Sequence, residues 1–288
     1  MAVRRFSEKN LTREVLHRIR KTKNPRLKQI MAAYIKHLHA FVREVKPTPG
    51  EWMQGIEFLT ETGHWCTDKR QEFILMSDTL GVSMLVDALN YKASAGATQS
   101  TVLGPFHREG APEFALGASV AKSPGDGETC LVTGTVRDTA GRPVAGAKLD
   151  IWEGGADGKY DSQKGDEMNL RGVFRADGEG RFSFRCVVPT FYPVPNDGPV
   201  GKMLVATGRH PMRPPHLHFW ITAPGYRPLI THLFRRGGKY LDSDAVFGVK
   251  PELIVDFKKG KDGLATTRYD FVLMKDEKRG RTRGRRKN

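Results

Sequence analysis

At 288 residues the chain can bury a substantial hydrophobic core, in one large domain or two smaller ones, without covalent staples. Its three cysteines, Cys66, Cys130 and Cys186, are widely spaced and form no Cys-x-x-Cys, which argues against a disulfide framework or a zinc ribbon and fits a reducing compartment. The net charge of +15 raises nucleic acid as a partner, but residues 1–50 carry +10 and residues 275–288 carry +6, so the stretch between them is close to neutral and offers no basic groove.

From Leu11 to Val42 the apolar residues recur mostly at intervals of three and four, the period of a helix with one buried face. Pro25 divides this pattern and predicts a break or kink. A second helical region follows from about Gly50, with Phe73, Met76, Leu80, Met84, Leu85 and Leu89 as its apolar members. After about Ser100 the texture changes to short apolar runs separated by Gly, Pro, Asp and Asn, which read as strands and turns. Leu131 to Val136, Ala147 to Trp152, Arg181 to Val188, Leu217 to Ile221 and Leu229 to Phe234 are the clearest strands, with turns at Thr139 to Arg142 and Asp177 to Gly180. Strands of this number and spacing favour an antiparallel sandwich, and the segment from Val132 to Ala147 looks like the opening hairpin of prealbumin-like modules. The expected organisation is a helical region over 1–100, a β-sandwich over 101–274 and a basic disordered tail over 275–288. No apolar run reaches the roughly 18 to 20 residues of a membrane span, and no signal-peptide core opens the chain, so a cytoplasmic protein is expected.

Within this frame the pair His216 and His218 stands out, because alternate residues of a strand share a face and two imidazoles there can reach one metal ion. His37 and His39 have the same spacing in a helical pattern, where two steps turn by roughly 200° and the rings diverge. Two histidines underdetermine a metal, and zinc stays open on these residues alone. Tyr160 and Tyr192 lie in polar, turn-rich settings, the second in a loop stiffened by Pro189, Pro193 and Pro195. Phenolate is a hard oxygen donor suited to a highly charged cation, which favours the deprotonated form of its ligand.

With these residues assembled, the chain resembles the intradiol ring-cleavage dioxygenases, and among them the hydroxyquinol 1,2-dioxygenase branch. The resemblance rests on the order and spacing of Thr101-Val-Leu-Gly-Pro-Phe106, Asp150-Ile-Trp152 with Tyr160, the run from Tyr192 to Val200, Arg213-Pro-Pro-His-Leu-His-Phe219, and the run from Tyr240 to Gly248. It implies one Fe(III) per subunit held by Tyr160, Tyr192, His216 and His218 with a solvent hydroxide. It also implies that Arg213 stabilises negative charge on the ring and that Tyr192 leaves the metal to act as a base. The implied reaction cleaves the bond between two hydroxylated carbons, with both atoms of dioxygen entering the product. The implied pocket wall comprises Leu75, Asp78, Val102, Leu103, Pro105, Phe106, Val194, Pro195 and Val246. Asp78 would accept a hydrogen bond from the third hydroxyl of hydroxyquinol, since an acid beside an aromatic ring needs a polar partner.

Two positions depart from the family's common pattern: Pro215 stands before the first histidine of the pair, and His232 stands where catechol enzymes usually carry Gln. The second weakens a catechol or chlorocatechol assignment and makes His232 a candidate support for the metal ligands. The resemblance further implies a homodimer joined through the N-terminal helices, with a phospholipid in an apolar tunnel there. The competing classes are a zinc hydrolase built on the histidine pair and a non-enzymatic sandwich binding nucleic acid through its basic ends.

Overall fold

The computed structural model describes residues 5–67, 70–123, 127–260 and 263–276; beyond Asp276 the expected basic tail lies outside the described residues. Two compact units divide between Thr60 and Glu61.

The first unit holds α1 (Leu11–Arg18), α2 (Pro25–Val45) and most of α3 (Pro49–His64). Pro25 is the first residue of α2, where its missing N–H satisfies no helical bond in any case, and the Asn24 side chain caps the helix by accepting from the Leu27 N–H at 3.0 Å. The break expected at Pro25 is therefore a helix start. His39 pairs with the Thr12 hydroxyl at 2.9 Å while His37 is exposed, so the two rings do diverge. Leu27, Ile30, Tyr34, Leu38 and Phe41 leave an apolar stripe of α2 exposed. No described helix is long and apolar enough to cross a membrane.

The second unit begins with α4 (Glu72–Thr79) and α5 (Val82–Asn90) and then becomes a β-sandwich. One sheet is built on β1 (Thr129–Asp138), which pairs antiparallel with β4 (Arg181–Val187) and parallel, in one continuous register, with β11 (Ala265–Arg268) and β12 (Phe271–Leu273); β10 (Lys258–Lys259) adds to β11. Gly134 lets the last segment press this close, since a Cβ there would lie 1.8 Å from the Tyr269 carbonyl oxygen. The other sheet runs β3 (Arg171–Arg175), β2 (Lys148–Trp152), β7 (His216–Thr222), β8 (Leu229–Arg235), β9 (Ile254–Val255). All pairs of this sheet are antiparallel except β8 with β9.

The period of two decides what each face carries. Leu149 and Ile151 of β2, Leu217, Phe219 and Ile221 of β7, and Leu229 and Leu233 of β8 enter the core between the sheets with Phe174, Phe182, Phe184 and Phe271. The alternate residues Trp152, His216, His218 and His232 therefore occupy the opposite face of the second sheet. That face is covered rather than solvated, and all four are buried. A two-residue ribbon, β5 (Tyr192–Pro193) with β6 (Met212–Arg213), and the short helix α6 (Pro199–Ala206) complete the unit.

Candidate metal centre

Strand β7 supplies two of the site's rings by alternation, and the chain brings the other two from loops. Tyr160 ends the turn after β2, and Tyr192 opens β5 directly opposite Arg213 of β6. Four buried polar atoms converge. The Tyr160 hydroxyl is 2.9 Å from His218 Nε2, the Tyr192 hydroxyl is 3.3 Å from His216 Nε2, and the two Nε2 atoms are 3.1 Å apart. Donor bonds of roughly 2 Å to a single cation would set neighbouring donors at about this spacing.

The protonation states suit such a cation. His216 Nδ1–H donates to the Pro214 carbonyl at 2.7 Å, and because a carbonyl can only accept, the lone pair of His216 is on Nε2 and faces the site. Burial holds His216, His218 and His232 well below the usual histidine range, so all three are neutral. Burial likewise pushes both phenols up, Tyr160 well above its ordinary value. A bound cation would reverse that preference and draw both to phenolate. Two hard oxygen donors and two neutral nitrogens thus fit a ferric ion. Among the described residues, His216, His218 and His232 form the one close cluster of ligand-type His, Cys and acidic side chains, but His232 Nε2 is engaged by His218 Nδ1 at 2.7 Å. His232 therefore sits behind a ligand position.

Arg213 is the site's fixed positive charge. Its Nε and Nη2 donate to the two carboxylate oxygens of buried Asp244 at 3.0 and 3.3 Å, leaving Nη1 3.3 Å from the Tyr192 hydroxyl and 3.1 Å from His216 Nε2. Burial works against the charge, but Asp244 and the phenols outweigh it and hold the guanidinium above its ordinary range.

The family profile described as Dioxygenase matches residues 102–275, and that described as Catechol dioxygenase N terminus matches residues 24–98. The chain belongs to the intradiol ring-cleavage dioxygenase family. It is 55% identical over 270 residues to a 6-chlorohydroxyquinol 1,2-dioxygenase of Cupriavidus pinatubonensis, covering 93% of this chain and 98% of that protein. It is 51% identical to a hydroxyquinol 1,2-dioxygenase of a Rhizobium species, over 93% of this chain and 91% of that one. The crystal structure of hydroxyquinol 1,2-dioxygenase from Pseudomonas putida DLL-E4 superposes with a TM-score of 0.86 at 47% identity, covering 93% of this chain and 99% of that one.

In this dioxygenase six of the nine expected wall residues divide between two clusters. Leu75, Val102, Val194 and Val246 pack together with Val200 and Leu204 of α6, while Phe106 and Leu103 pack with Tyr160, Tyr192 and Trp152. Phe106 stacks on Tyr160 at 4.3 Å between ring centroids. Pro105, Phe106, Val194 and Pro195 also line a cleft of about 510 Å³. Asp78 is buried at the end of α4, and burial raises its carboxyl pKa against the opposing pull of Ser83 and Arg213.

Three side chains that support the dioxygenase site gave no signal of their own in the sequence. Asp161 follows Tyr160 and accepts from buried Arg171 at both carboxylate oxygens, while Arg171 Nη2 reaches the Phe106 carbonyl at 3.1 Å. That pair ties the Tyr160 turn to the wall loop. Asp244 lies in the run from Tyr240 to Gly248, where nothing in the sequence pattern links it to Arg213. Gly104 is required where the loop crosses the metal position: its φ is +77°, and a Cβ would lie 3.3 Å from His218 Cε1.

Proposed function

We propose that this enzyme cleaves hydroxyquinol between its two adjacent hydroxylated carbons, consuming dioxygen and yielding 3-hydroxy-cis,cis-muconate or its maleylacetate tautomer. The observation that carries the reading is the convergence of Tyr160, Tyr192, His216 and His218 on one buried point. These four would hold Fe(III), one per subunit. When bound, the ferric ion would accept the diol oxygens and withdraw electron density from the ring, opening it to dioxygen.

The protein's own groups do the rest. A diol binding as a dianion gives up two protons; the Tyr192 phenolate can take one on leaving the ligand set, and the solvent hydroxide would take the other. Arg213 Nη1 faces the same hydroxyl and stabilises negative charge as it builds, a preorganised electrostatic role. The apolar wall of Leu75, Val102, Leu103, Pro105, Phe106, Val194, Pro195 and Val246 binds the ring and excludes water. Asp78 accepts from the third hydroxyl, which gives hydroxyquinol an advantage over catechol. The names of the two relatives above 50% identity support a hydroxyquinol-type ring, and one of them puts a chlorinated ring within the range to test.

The helical region over 1–100 would serve dimerisation, with the exposed stripe of α2 as the contact face and the place for a phospholipid; 101–274 would carry catalysis. Oxygen uptake with hydroxyquinol, 6-chlorohydroxyquinol and catechol tests the reading, with Tyr160→Phe as the control because hydroxyquinol autoxidises. Uptake well above control for the triols and little for catechol is expected. No uptake with any of them from iron-loaded protein would sink it.

A further inference from the structure

His218 is held from both sides by its register partners. Trp152 on β2 and His232 on β8 stand directly opposite it across the sheet. The Trp152 indole stacks on the His218 ring at 4.6 Å and 16°, and His232 meets it at 4.2 Å and 84°. His232 Nε2 is 2.7 Å from His218 Nδ1, and His232 Nδ1 is 2.6 Å from the Thr101 hydroxyl, with all three residues buried.

This row can be wired in two ways. In the first, Thr101 O–H donates to His232 Nδ1, His232 Nε2–H donates to His218 Nδ1, and His218 Nε2–H points at His216 Nε2. In the second, His218 Nδ1–H donates to His232 Nε2, His232 Nδ1–H donates to Thr101 Oγ1, and Thr101 O–H turns to the Val102 carbonyl at 3.4 Å. No proton enters or leaves between the two, and both rings stay neutral. Only the second leaves a lone pair on His218 Nε2. His216 has no such choice, because Pro214 offers only an acceptor.

We propose that His232 and Thr101 are positioning residues that fix the tautomer of His218 and so make it competent to ligate iron. This rests on the four-donor reading of the site. A neutral acceptor behind the ligand, in place of a carboxylate, adds no negative charge, so among the protein's groups at the metal only the two phenolates would offset the ferric charge. Thr101 also opens the segment that continues to Phe106, so the row links the pocket wall to a metal ligand.

The experiment compares His232→Leu, which cannot accept, with His232→Gln, whose Oε1 can. Iron affinity is read by competition with a chromophoric chelator, apo-protein melting serves as the fold control, and imidazole ¹⁵N shifts are recorded with diamagnetic Ga(III) bound. His232→Leu should weaken iron binding by about 10- to 100-fold and His232→Gln by no more than about threefold, with His232 of the loaded wild type protonated at Nδ1. If His232→Leu melts early, Thr101→Val, which keeps the ring packing, carries the test and should also weaken iron, with Thr101→Ser restoring it. Wild-type affinity in His232→Leu, equal losses in Leu and Gln, or a loaded His232 protonated at Nε2 would each overturn the relay alone. Wild-type protein that takes up no ferric ion would overturn the four-donor reading and the relay with it.

Discussion

Tyr192 and Arg213 are register partners in the β5–β6 ribbon, so the phenol assigned to move a proton and the cation assigned to stabilise charge are set side by side by backbone pairing. Asp244 completes the arrangement by taking two of the guanidinium's donors and leaving Nη1 for the site.

Removing Asp244 should therefore do more than remove a charge. Asp244→Ala leaves Arg213 buried without its partner, a change that typically costs about 3–5 kcal/mol of stability. A lower melting temperature together with slower oxygen uptake is expected. Arg213→Gln should leave a folded protein whose kcat is lower by about 10²- to 10³-fold, the usual scale for losing a preorganised stabilising donor. Steady-state rates matching wild type in Arg213→Gln would remove Arg213 from the mechanism.

Iron and colour should be lost together. Protein stripped with a chelator should lose its visible absorption and its uptake, and both should return with ferric ion. Zinc loading should restore neither, because zinc phenolate is colourless. Tyr160→Phe and Tyr192→Phe should each move or abolish the visible band. A band unchanged in both variants would place the iron elsewhere.

Substrate preference should follow Asp78. The buried Asp78 carboxyl has Ser83 as a hydrogen-bond partner, and the third hydroxyl of hydroxyquinol would add another to a group that burial penalises. Asp78→Ala should lower the ratio of kcat/KM for hydroxyquinol over catechol by about tenfold or more, in the range of one charged hydrogen bond. An unchanged ratio would assign the preference to the apolar wall instead.

The parts of this architecture that were legible beforehand are those that alternation controls. In β7 the pattern sends Leu217, Phe219 and Ile221 to the core and the two histidines to the opposite face, and the structure has that arrangement. The strand β3 was not legible because it begins with an arginine that reads as exposed. Arg171 is instead buried against Asp161, a partner ten residues earlier that no local pattern links to it. The parallel strands β11 and β12 were missed because they are only four and three residues long, and they pair with β1 across more than a hundred residues. Tyr160 and Tyr192 could be singled out by their loop settings, but their convergence on the histidines is a tertiary fact.

Stability should carry a low-pH signature from the first hairpin. Asp138 accepts from the Ala140 and Arg142 N–H groups at 2.9 and 3.1 Å and from the Arg142 guanidinium at 2.6 Å. The Arg142 side chain, first by its hydrogen bond, holds the Asp138 carboxyl down at about 2. Since the folded value lies below the ordinary aspartate value of about 3.9, the ionised group stabilises the fold fully above that value. The contribution fades as pH falls from there toward the folded value of about 2. Asp138→Asn should therefore melt below wild type at pH 7, with a gap that narrows steadily once the pH drops under about 4. Because Arg142 is exposed, added salt should narrow the gap as well. A gap independent of both pH and salt would mean that the turn N–H bonds, which Asn can keep in part, hold the hairpin without help from the charge.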